Sequence, residues 1–217
     1  MQKSGFFTVL LLALSLITLQ SCIELTEEVT VNKDRSGSLA FSLKIKNSGS
    51  LMGLLSQFAD VSIPDNYDDE VNQVVNQLKQ QPGISNVKFS KENSGNMLNL
   101  SFDFADDKSL NKAIYALAGE KKTFFKPSVY KVKSHKFSRR NLTEMAKDLI
   151  DKEQENIPDE LVFSFVNIKT KVNTPVPVKS VSVKNAVLSK DQKTVTLSNG
   201  LSDILESSRN TGFTIRY

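Results

Sequence analysis

Ile23-Glu24-Leu25-Thr26-Glu27-Glu28-Val29-Thr30-Val31 is followed, across Lys33-Asp34-Arg35-Ser36-Gly37, by Leu39, Phe41, Leu43 and Ile45 on alternate positions. Successive strand side chains point to opposite faces. Ile23, Leu25, Glu27, Val29 and Val31 therefore share one face, and Glu24, Thr26, Glu28 and Thr30 the other. Glu27 is the one charge on the apolar side. The polar turn between two alternating runs predicts a hairpin of two half-buried strands, with Gly37 available for a positive φ.

The pattern recurs. Val87-Lys-Phe-Ser-Lys-Glu-Asn-Ser-Gly-Asn-Met echoes Val29-Thr-Val-Asn-Lys-Asp-Arg-Ser-Gly-Ser-Leu, and Val187-Leu-Ser-Lys-Asp-Gln-Lys-Thr-Val is a fainter copy. Each copy precedes a helical pattern: Leu51, Leu54, Leu55 and Phe58 for the first, Leu110 to Leu117 for the second, Leu201, Ile204 and Leu205 for the third. Duplicated ββα units near 23–58, 84–118 and 178–207 would explain this. So would independent use of good hairpin chemistry. Either way the expected fold class is α+β, a mainly antiparallel sheet built from ββα-type units with helices packed on one face.

Between the copies, Val71, Val74, Val75 and Leu78 mark a helix led by Asp65, Asp68, Asp69 and Glu70 and stopped by Pro82-Gly83. Acids at a helix start suit its dipole. Val129 to Phe137 reads as a strand with lysines outward. Asn141 should cap a helix whose stripe is Leu142, Met145, Leu149 and Ile150, with Glu144 placed as in a capping box. Leu161 to Val172, Val178 to Val183, Val195 to Leu197 and Gly212 to Tyr217 supply further strands. Residues 22–217 are read as a single α+β domain.

Ahead of the first hairpin stands a targeting segment. Lys3 precedes an apolar run, Phe6 to Leu19, of about 14 residues. That is short of the roughly 20 needed to span a bilayer. A charged start and a brief apolar run describe a secretory signal. The run ends not in a small-x-small cleavage site but in Leu19-Gln20-Ser21-Cys22. This resembles the lipobox of bacterial lipoproteins, with Leu19 at −3 and Ser21 at −1; Gln20 departs from the commonest form. The resemblance implies a signal peptide over 1–21, cleavage after Ser21, diacylglycerol on the Cys22 thiol and a further acyl chain such as palmitate on the new amine. Two or three chains hold a protein on a membrane where one does not. Cys22 is the sole cysteine, so no internal disulfide is available. No Asp and no acidic run directly follows it, which favours the outer membrane facing the periplasm.

Composition narrows the chemistry. A single His and a single Cys leave too few ligands for zinc. No Asp-x-Asp-x-Asp-Gly calcium loop, Gly-x-Ser-x-Gly elbow, phosphate loop or dinucleotide fingerprint occurs. A nucleophile triad would have to use His135, which sits among lysines and reads as a surface residue. Paired carboxylates need no spacing and remain open. No metal, cofactor or catalytic residue is expected.

The strongest binding feature is residues 121–143, which contain no acid. Lys121, Lys122, Lys126, Lys131, Lys133, Lys136, Arg139 and Arg140 are interleaved with Phe124, Phe125, Tyr130 and Phe137. Nucleic acid would explain such a stretch in a cytoplasmic protein. For an envelope protein no nucleic-acid partner is expected, and the anions would be lipid headgroups, lipopolysaccharide or an acidic protein face. A solvated strand face balanced by Asp148, Asp151, Glu153 and Glu155 is the plainer reading.

Asn32-Lys-Asp34-Arg-Ser36-Gly37 near the start and Ser189-Lys-Asp191-Gln-Lys-Thr194-Val195 near the end together resemble a loosely defined group of bacterial lipoproteins, uncharacterised Bacteroidetes-type lipoproteins and the mycobacterial-type LppM domain among them. The resemblance implies an α+β domain with an apolar groove and brings no catalytic residues. Three functions follow as expectations: a lipid-anchored, non-catalytic envelope lipoprotein that binds or scaffolds an envelope protein; a lipid or amphiphile carrier; and, least favoured, an envelope hydrolase.

Overall fold

The structure, a computed structural model, describes residues 23–46, 67–93, 96–153, 163–206 and 211–217. Cys22 and the helix expected over Leu51–Phe58 lie outside the described residues. The fold is α+β. Strands β1 (Ile23–Val31) and β2 (Gly37–Ile45) form the expected hairpin. They are followed by α1 (Tyr67–Lys79), β3 (Ile84–Glu92), β4 (Met97–Phe104), α2 (Asp107–Leu117), β5 (Tyr130–Lys133), β6 (Lys136–Arg139) and α3 (Thr143–Glu153). The chain closes with β7 (Val166–Asn173), β8 (Ser180–Val181), β9 (Val187–Leu188), β10 (Thr194–Gly200), α4 (Leu201–Glu206) and β11 (Phe213–Arg216).

Seven strands form a large sheet in the order β3-β4-β2-β1-β7-β10-β9, and four form a smaller one, β5-β6-β11-β8. All pairings are antiparallel except β1 with β7, so the large sheet is mixed. Register explains the core. Phe102, Leu39, Val29, Val172 and Val195 are successive cross-strand neighbours, and all five are buried. They form one apolar rung across five strands. Tyr130, Val132, Phe137, Phe213 and Ile215 of the small sheet belong to the same core cluster, as do Leu110, Ala113 and Ile114 of α2. The opposite face of the large sheet is polar. There Glu24 pairs with Lys169 and Lys46 at 3.1 and 3.5 Å.

Helix α2 begins at a capping box. Asp106 Oδ1 accepts from the Ser109 amide at 2.8 Å, and the Ser109 hydroxyl accepts from the Asp106 amide at 3.1 Å. Two otherwise orphaned amides are thereby satisfied.

The three echoed segments share one backbone feature. Arg35, Asn93 and Gln192, at matching positions, all take positive φ (74°, 53° and 57°). Asp34 Oδ1 accepts from the Ser36 amide at 3.0 Å and Asp191 Oδ1 from the Lys193 amide at 3.1 Å. The left-handed residue of the first turn is therefore Arg35, not Gly37 as expected. Gly37 is required by close approach: a Cβ there would lie 1.9 Å from the Thr30 carbonyl oxygen. In the second and third copies the hairpin does lead into a helix, α2 and α4 respectively.

Three expected strands differ, and the 178–183 strand is reduced to Ser180–Val181 of β8. The 161–172 strand starts only at Val166, with Phe163 and Ser164 in a helical turn. Its neighbours impose the limit: Val166 faces Ile23, the first residue of β1, and Asn167 faces Gly200, the last of β10. The 129–137 strand is instead the first arm of a hairpin that turns at Ser134-His135 and pairs Val132 with Phe137.

Candidate functional site

Two clusters of charge are built from the basic stretch, one buried and one exposed. The buried one begins with Glu27. Its rung neighbour on β7 is Thr170, and both are buried. From the small sheet, Tyr130 of β5 donates its hydroxyl to Glu27 Oε1 at 2.5 Å. Arg139 of β6 pairs with Glu27 Oε2, donates to the Thr170 hydroxyl at 2.9 Å and reaches the Thr211 carbonyl at 3.0 Å. Its guanidinium also lies over the Phe213 ring, 5.0 Å from the centroid. Arg139 Nε alone has no hydrogen-bond partner among the described residues. Burial, reinforced by the Glu27 charge, pushes the Tyr130 phenol well above its ordinary value of 10.0. The cluster ties the two sheets together. Both carboxylate oxygens of Glu27 already hold internal donors.

Arg139 therefore corrects an expectation. The sequence pattern groups it with the surface cations, yet it is only 7% exposed. The cause is strand parity: Arg139 stands two residues from Phe137, so it shares that residue's inward face.

The exposed cluster holds the other cations. Lys121, Lys131, Lys133 and Arg140 are exposed, and Lys122, Lys126 and Lys136 half-buried. Lys133 and Lys136 face each other at the far end of the β5–β6 hairpin. A cleft of about 560 Å³ brings together Lys122, Lys126, Lys131 and Arg140 with Phe124 and Val129.

The loop that carries these lysines is braced. Lys126 Nζ lies 2.7 Å from a Glu120 carboxylate oxygen, and Lys122 Nζ donates to the Thr123 carbonyl at 2.8 Å and to that of Lys126. Both ammonium groups sit near the Tyr115 ring, 5.8 and 5.3 Å from its centroid. The Tyr115 hydroxyl in turn donates to the Pro127 carbonyl at 2.8 Å. Asn111 fixes the exit of the loop: its Oδ1 accepts from the Val129 and Tyr130 amides, and its Nδ2 donates to the Tyr130 carbonyl at 2.8 Å. On top of this base Phe124 and Phe125 are 95% and 92% exposed.

Other expected features are placed as follows. His135 is exposed in the β5–β6 turn. Asn141 Oδ1 accepts from the Thr143 amide at 3.2 Å at the start of α3, and also from the Thr211 amide at 3.0 Å. Leu19, Ser21 and Cys22 are outside the described residues. Among the described residues no group of three or more His, Cys, Asp or Glu is placed to hold a metal ion. No described helix is long and apolar enough to cross a membrane.

No protein-family model matches the chain, and no curated protein sequence matches it. Among solved structures it is similar to the NMR structure of the folded domain of Mycobacterium tuberculosis LppM, at 12% identity and a TM-score of 0.40, over 91% of this chain and 92% of that one. At that distance the likeness extends neither to family membership nor to function.

Proposed function

We propose that this protein is a lipid-anchored lipoprotein of the bacterial cell envelope, a single α+β domain over 22–217 that binds rather than catalyses. The observation that carries the reading is the Leu19-Gln20-Ser21-Cys22 stretch at the end of a short apolar run. Cleavage after Ser21 would leave Cys22 as the first residue and one peptide bond from Ile23, where β1 starts. Acyl chains on Cys22 would then hold the end of the large sheet directly at the bilayer, with no linker between them. The outer membrane, facing the periplasm, is the proposed location.

Binding is favoured over carriage by the cleft beside 121–143, which is lined by lysines and arginines as well as apolar groups and opens to solvent. A carrier of acyl chains would need an enclosed apolar chamber. Here the core is filled by large buried rings, Phe102, Phe104, Tyr130, Phe137 and Tyr217. Binding is favoured over hydrolysis because the one carboxylate buried among the described residues, Glu27, is held by Tyr130, Arg139 and Thr170.

The test is Cys22→Ala in the full chain, followed by membrane fractionation and mass spectrometry of the N-terminus. The expected result is loss of the acyl mass and of cleavage after Ser21. An unchanged N-terminal mass and unchanged fractionation would refute the anchor.

A further inference from the structure

We infer that the loop around Phe124 and Phe125 is a second membrane contact, in which the two rings enter the interfacial layer of an anionic phospholipid bilayer while the surrounding lysines engage headgroup phosphates. This rests on the lipoprotein reading and adds to it a surface of the folded domain.

The first reason is the exposure itself. The chain keeps its other described large aromatic side chains buried or half-buried, yet Phe124 and Phe125 are 95% and 92% exposed. They stand edge to face with centroids 5.6 Å apart. Each presents nearly a whole apolar ring to water, which favours transfer to any apolar medium within reach.

The second reason is preorganisation. The Lys126–Glu120 pair, the Lys122 bonds to carbonyls and the Tyr115–Pro127 bond hold the base of the loop, so the rings are presented outward. Little ordering is left to be done on docking.

The third reason is the layering of charge. The apolar tip is preceded by the exposed Lys121, with the exposed Lys131 and Arg140 across the adjoining cleft, while Lys122 and Lys126 hold its base. A bilayer has the complementary order, phosphate outside and acyl chain beneath, and basic residues gain attraction near an anionic surface. An acidic protein face fits less well. Two rings offer far less than the roughly 800 Å² per partner of a stable protein interface. The anchor adds proximity, since Cys22 adjoins β1 and raises the effective concentration of any second membrane contact.

The chain contains no Trp, so a single Trp reports on one place. Full-length protein purified from membranes is reconstituted into vesicles of brominated phosphatidylcholine, either alone or in equal parts with phosphatidylglycerol. Phe124→Trp is compared with Val187→Trp on β9, a position that is 66% exposed and distant in sequence. The expected result is that the Phe124→Trp chain loses most of its emission in the anionic vesicles and little in the neutral ones, while the Val187→Trp chain loses little in either. Adding Lys121→Glu and Lys131→Glu to Phe124→Trp should restore the emission. Equal, weak quenching at both positions in anionic vesicles would overturn the proposal. So would a photo-crosslinker at Phe125 that labels an envelope protein instead of lipid. Flotation on neutral vesicles reads the anchor separately: an unacylated chain fails to float there, yet quenching on anionic vesicles still reports the loop.

Discussion

Arg139 and Lys131 come from the same acid-free stretch and occupy opposite worlds. Arg139 lies between two sheets, paired with Glu27 and bonded to Thr170 and the Thr211 carbonyl. Lys131 stands on the neighbouring strand and is exposed beside the Phe124 cleft. Both strands alternate, and the phase of the alternation decides which cation goes in. The side chains suit the result. A planar guanidinium can serve several acceptors at once and stack on Phe213, whereas an ammonium on a flexible stem is better left hydrated. The difference predicts that charge in this stretch is structural where it faces Phe137 and interactive where it does not.

The sharpest way to break this contrast is to truncate each cation. Arg139→Ala leaves Glu27 buried without its counter-ion, and loss of about 3–5 kcal/mol is expected. Lys131→Ala should stay within about 0.5 kcal/mol, as for most surface changes. Urea unfolding followed by circular dichroism measures both. Comparable losses would mean that the buried centre is not the tie between the sheets.

A smaller effect is expected at Tyr130, whose hydroxyl serves the same carboxylate. Tyr130→Phe leaves Glu27 Oε1 short of a donor, at a cost of about 1–3 kcal/mol. The sign of the pH dependence follows from the raised phenol. Below its ordinary value of 10.0 it is protonated in both states and contributes no slope. Above that value only the unfolded chain releases the proton, so stability falls with rising pH by about 1.4 kcal/mol per unit. Tyr130→Phe should remove that part of the alkaline slope, readable as a smaller difference between the mutant and the parent at high pH than at neutral pH.

A smaller loss than at either buried partner is expected away from both clusters. Asp106→Ala at the α2 cap should cost about 1 kcal/mol at neutral pH. The Ser109 amide holds the Asp106 carboxyl below its ordinary 3.8, against the opposing pull of burial. The contribution is therefore present above that value and lost as pH falls through the lowered one. Thermal melts of the mutant and parent should converge in acid.

The sequence already contained much of this. Alternation from Ile23 to Ile45 specifies the hairpin, and the same alternation sets Glu27 among apolar neighbours, a visible sign of a buried carboxylate awaiting a partner. The partner was also there to be found: Phe137 and Arg139 have one parity, so an arginine beside a core ring had to turn inward. Composition hides this, because Arg139 stands among lysines and reads as one more surface cation. The β5–β6 turn was missed because Ser134-His135 lacks Gly, Asn or Asp, the residues that usually announce a tight hairpin. The start of β7 was not legible at all, since it depends on where β1 begins and β10 ends. The Phe124–Phe125 tip was visible only as composition. Its exposure depends on how Tyr115, Glu120 and Pro127 brace the loop, and residue patterns do not encode that arrangement.

The central position of β1 carries a further consequence, one of timing. Its hairpin partner β2 is at hand almost as soon as the strand is made, but its other edge must wait for β7, and the Glu27–Thr170 bond spans 143 residues. A chain delivered from its N-terminus leaves that edge unpaired until most of its length has emerged. Non-local pairing of this kind slows folding, and an open central edge invites pairing with other chains. The large sheet therefore closes late, with its first and seventh strands meeting only after most of the chain is available.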